Sequence, residues 1–155
     1  MTSKDLSGKT VQIRQALIKD LKPIYNLECL CYPYPWSEKM LEDSLLGEHM
    51  CFVMEQGDGL VGHMILQQIL DEVHLYNLCV LPSCRQQGKG HLWIDYLNQY
   101  AQKNDADKIY LEVRASNLAA QRLYLKRGFK QVGIRKNYYQ SSKQVEDAIV
   151  MVAKL

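Results

Sequence analysis

The chain has 155 residues, of which 47% are hydrophobic and 23% charged, and a formal net charge of +2. This length and composition indicate one globular domain with a sizeable core, and the small charge argues against direct binding of nucleic acid. No apolar stretch reaches the roughly 18 residues of a membrane helix, and the start lacks the apolar segment of a signal peptide. We therefore expect a cytoplasmic protein without a membrane partner.

The five cysteines are odd in number and scattered along the chain. This pattern favours reduced thiols over a disulfide framework. Cys29 and Cys31 are the only close pair, and none of the four histidines belongs to an H-E-x-x-H motif. Zinc sites need closer ligand spacing than this, so we predict no metal.

The first third of the chain predicts a strand and two helices. We predict that residues 1–10 form a polar leader, open to disorder, and that residues 11–155 form a single domain. The predicted elements are a strand in 10–18, a helix in 19–32 and a helix in 37–47. The prolines in "PYPW" separate the helices. Ser37 is predicted to cap the second helix, which ends at Gly47.

The rest of the chain predicts a strand meander followed by alternating helices and strands. The predicted strands are 50–56, 59–70, 72–81, 107–113, 129–135 and 145–155, and the predicted helices are 90–103 and 117–128. A polar loop is expected at 136–144. This order favours an α/β (α+β) fold with a mixed central sheet of about seven strands flanked by about four helices.

The segment "RQQGKG" at residues 85–90 lies between an apolar strand and an amphipathic helix. Two glycines allow close backbone approach to a ligand, and a helix that begins there directs free amides outward. Such a site suits an anion, typically phosphate. A dinucleotide fingerprint would need glycine at Trp93, and a P-loop would need Ser or Thr at Gly90. Neither nucleotide motif fits, and a glycine-rich turn remains the alternative.

Glu112 is a lone carboxylate in a predicted central strand. Ile109, Leu111 and Val113 share one face of that strand, so Glu112 lies on the other. Burial of a carboxylate is costly unless it is paired, hydrated or protonated. A salt bridge to Arg114 or Arg14 is one explanation, and a functional role is the alternative.

A polar stripe is predicted along the helix that follows. Asn117, Ala120 or Gln121, and Tyr124 have the spacing of one helix face. This stripe could face a ligand. The alternative for Tyr124 is core packing against Phe129.

Several segments together carry a resemblance to a known family. "RQQGKG" resembles the Q/R-x-x-G-x-G/A pyrophosphate loop of the GNAT superfamily of acetyl-coenzyme A dependent N-acetyltransferases. "PWSEK", "LEVRASNLAAQRLYLKRGF", "NYY" and "EDAIVM" are similar to its bacterial ribosomal-protein-alanine branch. The likeness covers about Val11 to Met151. It implies the GNAT fold and acetyl-CoA as co-substrate.

The same resemblance implies roles for individual residues. Glu112 would be the general base and Tyr124 the general acid. The cofactor would contact the backbone of Leu78, Cys79 and Val80, the loop residues Arg85, Gln86, Gln87, Gly88, Lys89, Gly90 and His91, and Asn117. Lys89 could add charge to the loop or be a solvated lysine at a helix start.

The implied acceptor is the N-terminal alanine of a small-subunit ribosomal protein. An α-amino group is the easier acceptor, because near pH 7.5 roughly a third of it is neutral, against about one in a thousand for lysine. The aromatic residues Trp36, Tyr138 and Tyr139 could clasp the extended peptide, or simply pack. A broader range of protein or small-amine acceptors and a non-catalytic acyl-CoA-binding module are the alternative functions.

Overall fold

The computed structural model describes residues 1–141 and 143–155, and Ser142 lies outside the described residues. The helices are α1 (Leu21–Cys31), α2 (Glu38–Leu46), α3 (Lys89–Lys103) and α4 (Leu118–Lys126), with short 3-10 turns at Ile18–Asp20 and Pro82–Cys84. The strands are β1 (Thr2–Lys4), β2 (Thr10–Gln15), β3 (Met50–Gln56), β4 (Gly59–Ile69), β5 (Glu72–Val80), β6 (Lys108–Arg114), β7 (Lys130–Gln140) and β8 (Val145–Lys154). Among the described helices, none is both long and apolar enough to span a membrane.

The strands form one mixed sheet in the order β1-β2-β3-β4-β5-β6-β8-β7. Strands β5 and β6 pair in parallel, whereas β8 pairs antiparallel with both β6 and β7. The predicted fold class is confirmed, with eight strands in the described residues instead of about seven. The chain divides into two compact units. Unit 1 contains Met1–Gln67 and Tyr76–Tyr96, and unit 2 contains Gln68–Leu75 and Leu97–Leu155.

The extra strand lies in the polar leader, for which the sequence left disorder open. Strand β1 pairs antiparallel with β2, so that Ser3 lies opposite Val11. Asp5, which follows it, is buried. Backbone pairing and a buried carboxylate therefore hold these residues on unit 1.

Local sequence signals set the ends of α2 in unit 1. The Ser37 hydroxyl accepts a 3.1 Å hydrogen bond from the Met40 amide, as expected for an N-cap, and Gly47 follows the last turn. The helix buries Leu41 in a cluster with Ile24 of α1 and Val53 of β3, and Trp36 packs against this cluster. The proline loop thus joins two helices that share one core.

In unit 2, β6 alternates as predicted, with Ile109, Leu111 and Val113 buried and the residues between them partly exposed. Asn117 caps α4 by accepting a 3.2 Å hydrogen bond from the Ala120 amide. The helix is followed by Gly128, whose φ of +88° is a conformation that favours glycine. These two residues fix where the strand-to-helix turn begins and where α4 ends.

Strand β7 is longer than predicted. Residues 136–140, expected in a loop, continue the strand as far as Gln140. The pairing with β8 is irregular between Arg135 and Tyr139, and Asn137 has a φ of +52°. This is the geometry of a bulge, which adds residues to one strand without ending it. Asp147 of β8 stabilises it by accepting a 2.9 Å hydrogen bond from the Asn137 amide.

Candidate active site

The end of β5 in unit 1 presents backbone polar groups at the predicted pantetheine segment. The Leu78 carbonyl accepts a hydrogen bond from the Tyr32 hydroxyl, and the Val80 carbonyl accepts one of 3.1 Å from Arg85 Nε. Cys79 is buried, and its carbonyl oxygen lies 2.7 Å from the position of a Cβ built on Gly62 of β4. Because backbone groups alternate along a strand, Leu78 and Val80 share one edge and Cys79 faces the other. Of the three residues predicted for pantetheine, these two are therefore the ones whose backbone groups lie away from β4.

The glycine loop leads directly into α3, as predicted. Gln86 has a φ of +58° and Gly88 a φ of +80°, and the helix begins at Lys89. Left-handed residues that alternate with ordinary ones turn successive amides toward a common point, a geometry known to bind anions. The first amides of a helix also have no intrahelical acceptor. The loop therefore has the backbone geometry of a phosphate site.

Lys89 differs from both of its predicted environments. Its side chain is completely buried, and Nζ lies 2.5 Å from Asp5 Oδ2 and 2.8 Å from Gln87 Oε1. A solvated lysine is therefore wrong, and the ammonium is held in an ion pair within the protein. The Lys89 amide, which begins α3, is the part of this residue that remains a candidate cofactor contact.

Glu112 in unit 2 has an ion-pair partner that the sequence did not indicate. Its Oε1 lies 2.8 Å from Arg135 Nε on β7, whereas Arg114 pairs with Glu146. Arg14, the other predicted partner, binds Asp20 and Glu55. Both predicted partners are therefore wrong. The Arg135 side chain is 58% exposed, and an ion pair this open to water costs little to break.

Tyr124 is buried within unit 2, and its ring centroid lies 5.5 Å from that of Phe129. The predicted packing against Phe129 is thus present. Burial, with a smaller contribution from Tyr139, raises the pKa of Tyr124 above its usual range. Burial therefore keeps the phenol protonated at neutral pH, although a raised pKa also makes it a weaker acid. Packing against Phe129 does not exclude a role as general acid, which stays a prediction.

The polar side chains of the α4 stripe make most of their hydrogen bonds within unit 2. The Asn117 side-chain oxygen serves as the helix cap, and Gln121 Nε2 donates to the carbonyls of Arg114 and Ala115, at 3.1 and 2.9 Å. These bonds fasten the first turn of α4 to the end of β6. A cofactor contact through Asn117 stays a prediction that would use its amide nitrogen.

The aromatic residues predicted to contact the acceptor peptide lie in two different environments. In unit 2, Tyr138 is 50% exposed, and the Arg114 guanidinium lies 4.1 Å from the ring centroid of Tyr139. Burial and the negative charge of Glu112 raise the pKa of Tyr139 to about 12. In unit 1, Trp36 packs against the core cluster of Ile24, Leu41 and Val53. Tyr138 thus has the most accessible ring, and Tyr139 is the one closely associated with Glu112.

Sequence reasoning missed a buried polar network in unit 1. Glu28 accepts hydrogen bonds from the Trp36 amide at 3.1 Å, from Asn77 Nδ2 at 3.1 Å and from His63 Nε2 at 2.7 Å. Burial alone would raise the pKa of Glu28, but the bonds and charge of His63 and the other donors lower it. A glutamate on the apolar side of α1 was the only available signal. The network fastens α1, the proline loop and β5 to one carboxylate.

The same network is the strongest metal candidate among the described residues. Ligand atoms of Glu28, His63 and Cys79 lie within 4.8 Å of one another, and all three residues are buried. His63 Nδ1 has no hydrogen-bond partner in residues 1–141 and 143–155. Both Glu28 oxygens, however, already accept hydrogen bonds. The arrangement is accounted for by internal hydrogen bonding, and the sequence-based expectation of no metal stays a prediction.

The comparisons with known proteins agree on one family. Residues 21–129 match the Acetyltransferase (GNAT) family. The chain is 36% identical over 132 residues to the ribosomal protein bS18-alanine N-acetyltransferase of Escherichia coli K12, covering 85% of this chain and 89% of that protein. It is 30% identical over 141 residues to a putative enzyme of the same name from Bacillus subtilis, covering 90% and 92%. The crystal structure of the E. coli ribosomal-protein-S18-alanine N-acetyltransferase matches with a TM-score of 0.87, 34% identity and 93% coverage of both chains.

The family match and the fold agree with the motifs that the sequence carries. The matched residues include the glycine loop, Glu112 and Tyr124. The identity to the E. coli protein extends over most of both chains. The chain therefore belongs to the GNAT family and is an acetyl-CoA-dependent N-acetyltransferase.

Proposed function

We propose that this enzyme transfers the acetyl group of acetyl-CoA to the α-amino group of the N-terminal alanine of a ribosomal protein. The observation that carries this proposal is the 36% identity over 85% of the chain to a protein named for that activity. The reaction would take place in the cytoplasm, where ribosomal proteins are made, and requires neither a membrane nor direct contact with nucleic acid. The acceptor is a peptide end, which suits a groove lined by aromatic residues.

The chemical step is direct attack of the neutral amine on the thioester carbonyl. A C–N bond forms, the C–S bond breaks, and coenzyme A leaves as a thiolate. Glu112, directly or through a water, takes the proton that the amine nitrogen loses. Tyr124 protonates the thiolate, and its raised pKa keeps that proton available over the working pH range. Proton transfers of this kind contribute about 10² to 10⁴ in rate each.

The cofactor would be held mainly by backbone groups of unit 1. The diphosphate would lie against the amides of residues 85–91, where Gln86 and Gly88 have positive φ. The pantetheine arm would pair along the edge of β5 that carries Leu78 and Val80. Two side chains already bind carbonyls there, namely Tyr32 and Arg85. A pantetheine arm would therefore pair with the amides of that edge or displace these side chains.

The acceptor peptide would be recognised by Trp36, Tyr138 and Tyr139. Support is strongest for Tyr138, whose ring is half exposed. Tyr139 contacts the Arg114 guanidinium and is influenced by Glu112, so it would also tune the charge around the attacking amine. Trp36 is partly buried against the core cluster of unit 1, so it has less surface to offer a peptide.

The test is a thiol-release assay with acetyl-CoA and synthetic peptides. Glu112→Gln and Tyr124→Phe are each expected to lower kcat by about 10² to 10⁴ while leaving the Kd for coenzyme A nearly unchanged. Matched controls are Glu48→Gln, at an exposed position, and Tyr110→Phe, whose ring stacks on His74 at 5.3 Å. Wild-type rates in both site variants would refute the assignment of base and acid.

Acceptor choice is tested with the same assay. Peptides that begin with alanine and copy ribosomal N-termini are expected to exceed lysine side chains and polyamines in kcat/KM by at least about tenfold, because more of the α-amine is neutral. Equal rates for all amines would replace the ribosomal assignment with a broad acceptor range. Mass spectrometry of ribosomal proteins from cells that lack this enzyme would then show unchanged N-termini.

A further inference from the structure

The segment that precedes β2 lies directly against the glycine loop of unit 1. The Leu6 amide donates a 3.0 Å hydrogen bond to the Gln87 carbonyl. The Leu6 side chain covers Gly88, since a Cβ built on that glycine would lie 2.7 Å from Leu6 Cγ. The loop is therefore braced by a segment that is about eighty residues away in sequence.

Asp5 is the centre of this brace. Its Oδ1 accepts from the Ser7 amide at 2.9 Å, the Ser7 hydroxyl at 2.7 Å and the Lys9 amide at 3.0 Å. Its Oδ2 accepts from Lys89 Nζ at 2.5 Å and Gln56 Nε2 at 3.0 Å. The side chains of Asp5 and Lys89 are both completely buried. A buried ion pair persists only where its remaining hydrogen-bonding capacity is also used, and here the carboxylate is fully used.

Two observations connect this brace to cofactor binding. Lys89 is the first residue of α3, so the ion pair holds the helix start whose amides would face the diphosphate. Gln87 receives the Leu6 amide at its carbonyl and the Lys89 ammonium at its side chain. Both contacts hold the residue between Gln86 and Gly88, the two positions with positive φ. Without them, the loop would lose contacts that fix its left-handed turns.

We propose that Asp5 is a positioning residue for acetyl-CoA, which keeps the glycine loop in its binding conformation through Lys89 and the segment of residues 5–9. This inference rests on the proposed diphosphate site. The Lys89 charge is neutralised inside the protein, so the diphosphate is bound by preorganised backbone amides. Loss of the brace lowers the fraction of molecules with a competent loop, and the apparent affinity falls by the same factor.

The test separates cofactor affinity from turnover. Asp5→Asn and Asp5→Ala are expected to raise the KM for acetyl-CoA and the Kd for coenzyme A about tenfold, as for a loop that is competent one-tenth of the time. The kcat and the KM for the peptide are expected to stay within about twofold, because no reacting atom is altered. Asp58→Asn makes the same charge change in an exposed turn of unit 1 and serves as the control. An unchanged KM for acetyl-CoA in folded Asp5 variants would overturn the proposal.

A second variant controls for the effect of misfolding on the measured KM. Asp5→Asn combined with Lys89→Met removes both charges, so that no unpaired ammonium is left buried. We expect the double variant to fold and to keep a raised KM for acetyl-CoA, similar to that of Asp5→Asn. A return to the wild-type KM would show that only charge balance matters and would overturn the positioning role.

Hydrogen–deuterium exchange distinguishes failure of this inference from failure of the proposed site. Coenzyme A is expected to protect the amides of residues 85–91 in the wild-type enzyme, and to do so only at higher concentration in Asp5→Asn. Absence of protection in the wild type would refute the diphosphate site itself. Equal protection at equal concentration in both proteins would refute the role of Asp5 alone.

Discussion

Replacement of Glu28 by glutamine tests how much one buried carboxylate stabilises unit 1. The carboxylate accepts from His63, Asn77 and the Trp36 amide, and hydrogen bonds to a charged group exceed neutral ones by roughly 1 kcal/mol each. Glutamine keeps the shape but loses the charge at three donors, and its NH₂ group cannot accept where a carboxylate oxygen did. We therefore expect the free energy of unfolding to fall by about 3 kcal/mol, which leaves a folded protein if its stability lies in the usual range of about 5–15 kcal/mol.

The pH dependence of stability provides an independent test of the charge on Glu28. The pKa of Glu28 is lowered below its ordinary value of 4.5 despite burial, because His63 and the other donors favour the charged form. Stability from such a group is fully present above the unfolded-state pKa and is lost as the pH falls through the folded-state pKa. The difference between wild type and Glu28→Gln should therefore narrow below pH about 4.

Urea unfolding followed by tryptophan fluorescence at pH 6.5 and pH 3.5 measures both effects. Glu48→Gln, the same change at an exposed residue of unit 1, is expected to alter stability by less than about 0.5 kcal/mol. The reasoning is refuted if Glu28→Gln is as stable as the wild type at pH 6.5. A difference that does not change with pH would refute the assigned charge state.

Three further predictions follow, two from single contacts and one from the burial of a side chain. Ser37→Ala removes the cap of α2 and should lower the free energy of unfolding by about 1 kcal/mol in thermal denaturation. Gly62→Ala places a Cβ 2.7 Å from the Cys79 carbonyl oxygen and 2.8 Å from Trp93 Nε1; overpacking should cost about 1–3 kcal/mol in urea unfolding and raise the KM for acetyl-CoA. Because burial raises the pKa of Tyr124, kcat should show no alkaline decline below pH about 9 in a pH–rate profile.

Local patterns predicted the elements that carry the proposed chemistry. The alternation of β6 predicted the face on which Glu112 lies. Asn117 and Gly128 mark the two ends of α4, as their residue types suggest. These signals depend only on residues that are close in sequence, so they can be recognised from a single sequence. The cap at Asn117 also shows the limit of such reasoning, since a side chain predicted to meet a ligand has its oxygen committed to the helix.

The missed features depend on contacts between distant residues. Asp5 looks like any aspartate in a polar leader, and its burial depends on contacts with distant residues, among them Lys89, 84 residues away, and Gln56. Glu112 meets Arg135 because β6 and β7 both flank β8, an order that sequence periodicity does not encode. The alternation pattern also could not predict that β7 continues through a bulge at Asn137.

The proposed roles divide between backbone and side chains, and the two kinds of role should respond differently to substitution. A diphosphate held by amides of residues 85–91 requires a loop conformation, which Gly88 and the Asp5 brace maintain. Many side chains are compatible with that conformation. The proposed proton transfers, in contrast, need a carboxylate at Glu112 and a phenol at Tyr124, because an amide is too weak a base to accept the amine proton and a phenyl ring has no acidic proton to donate. Substitutions that keep the loop conformation should therefore change cofactor affinity gradually, whereas substitutions at these two residues should abolish most of the turnover even when the cofactor remains bound.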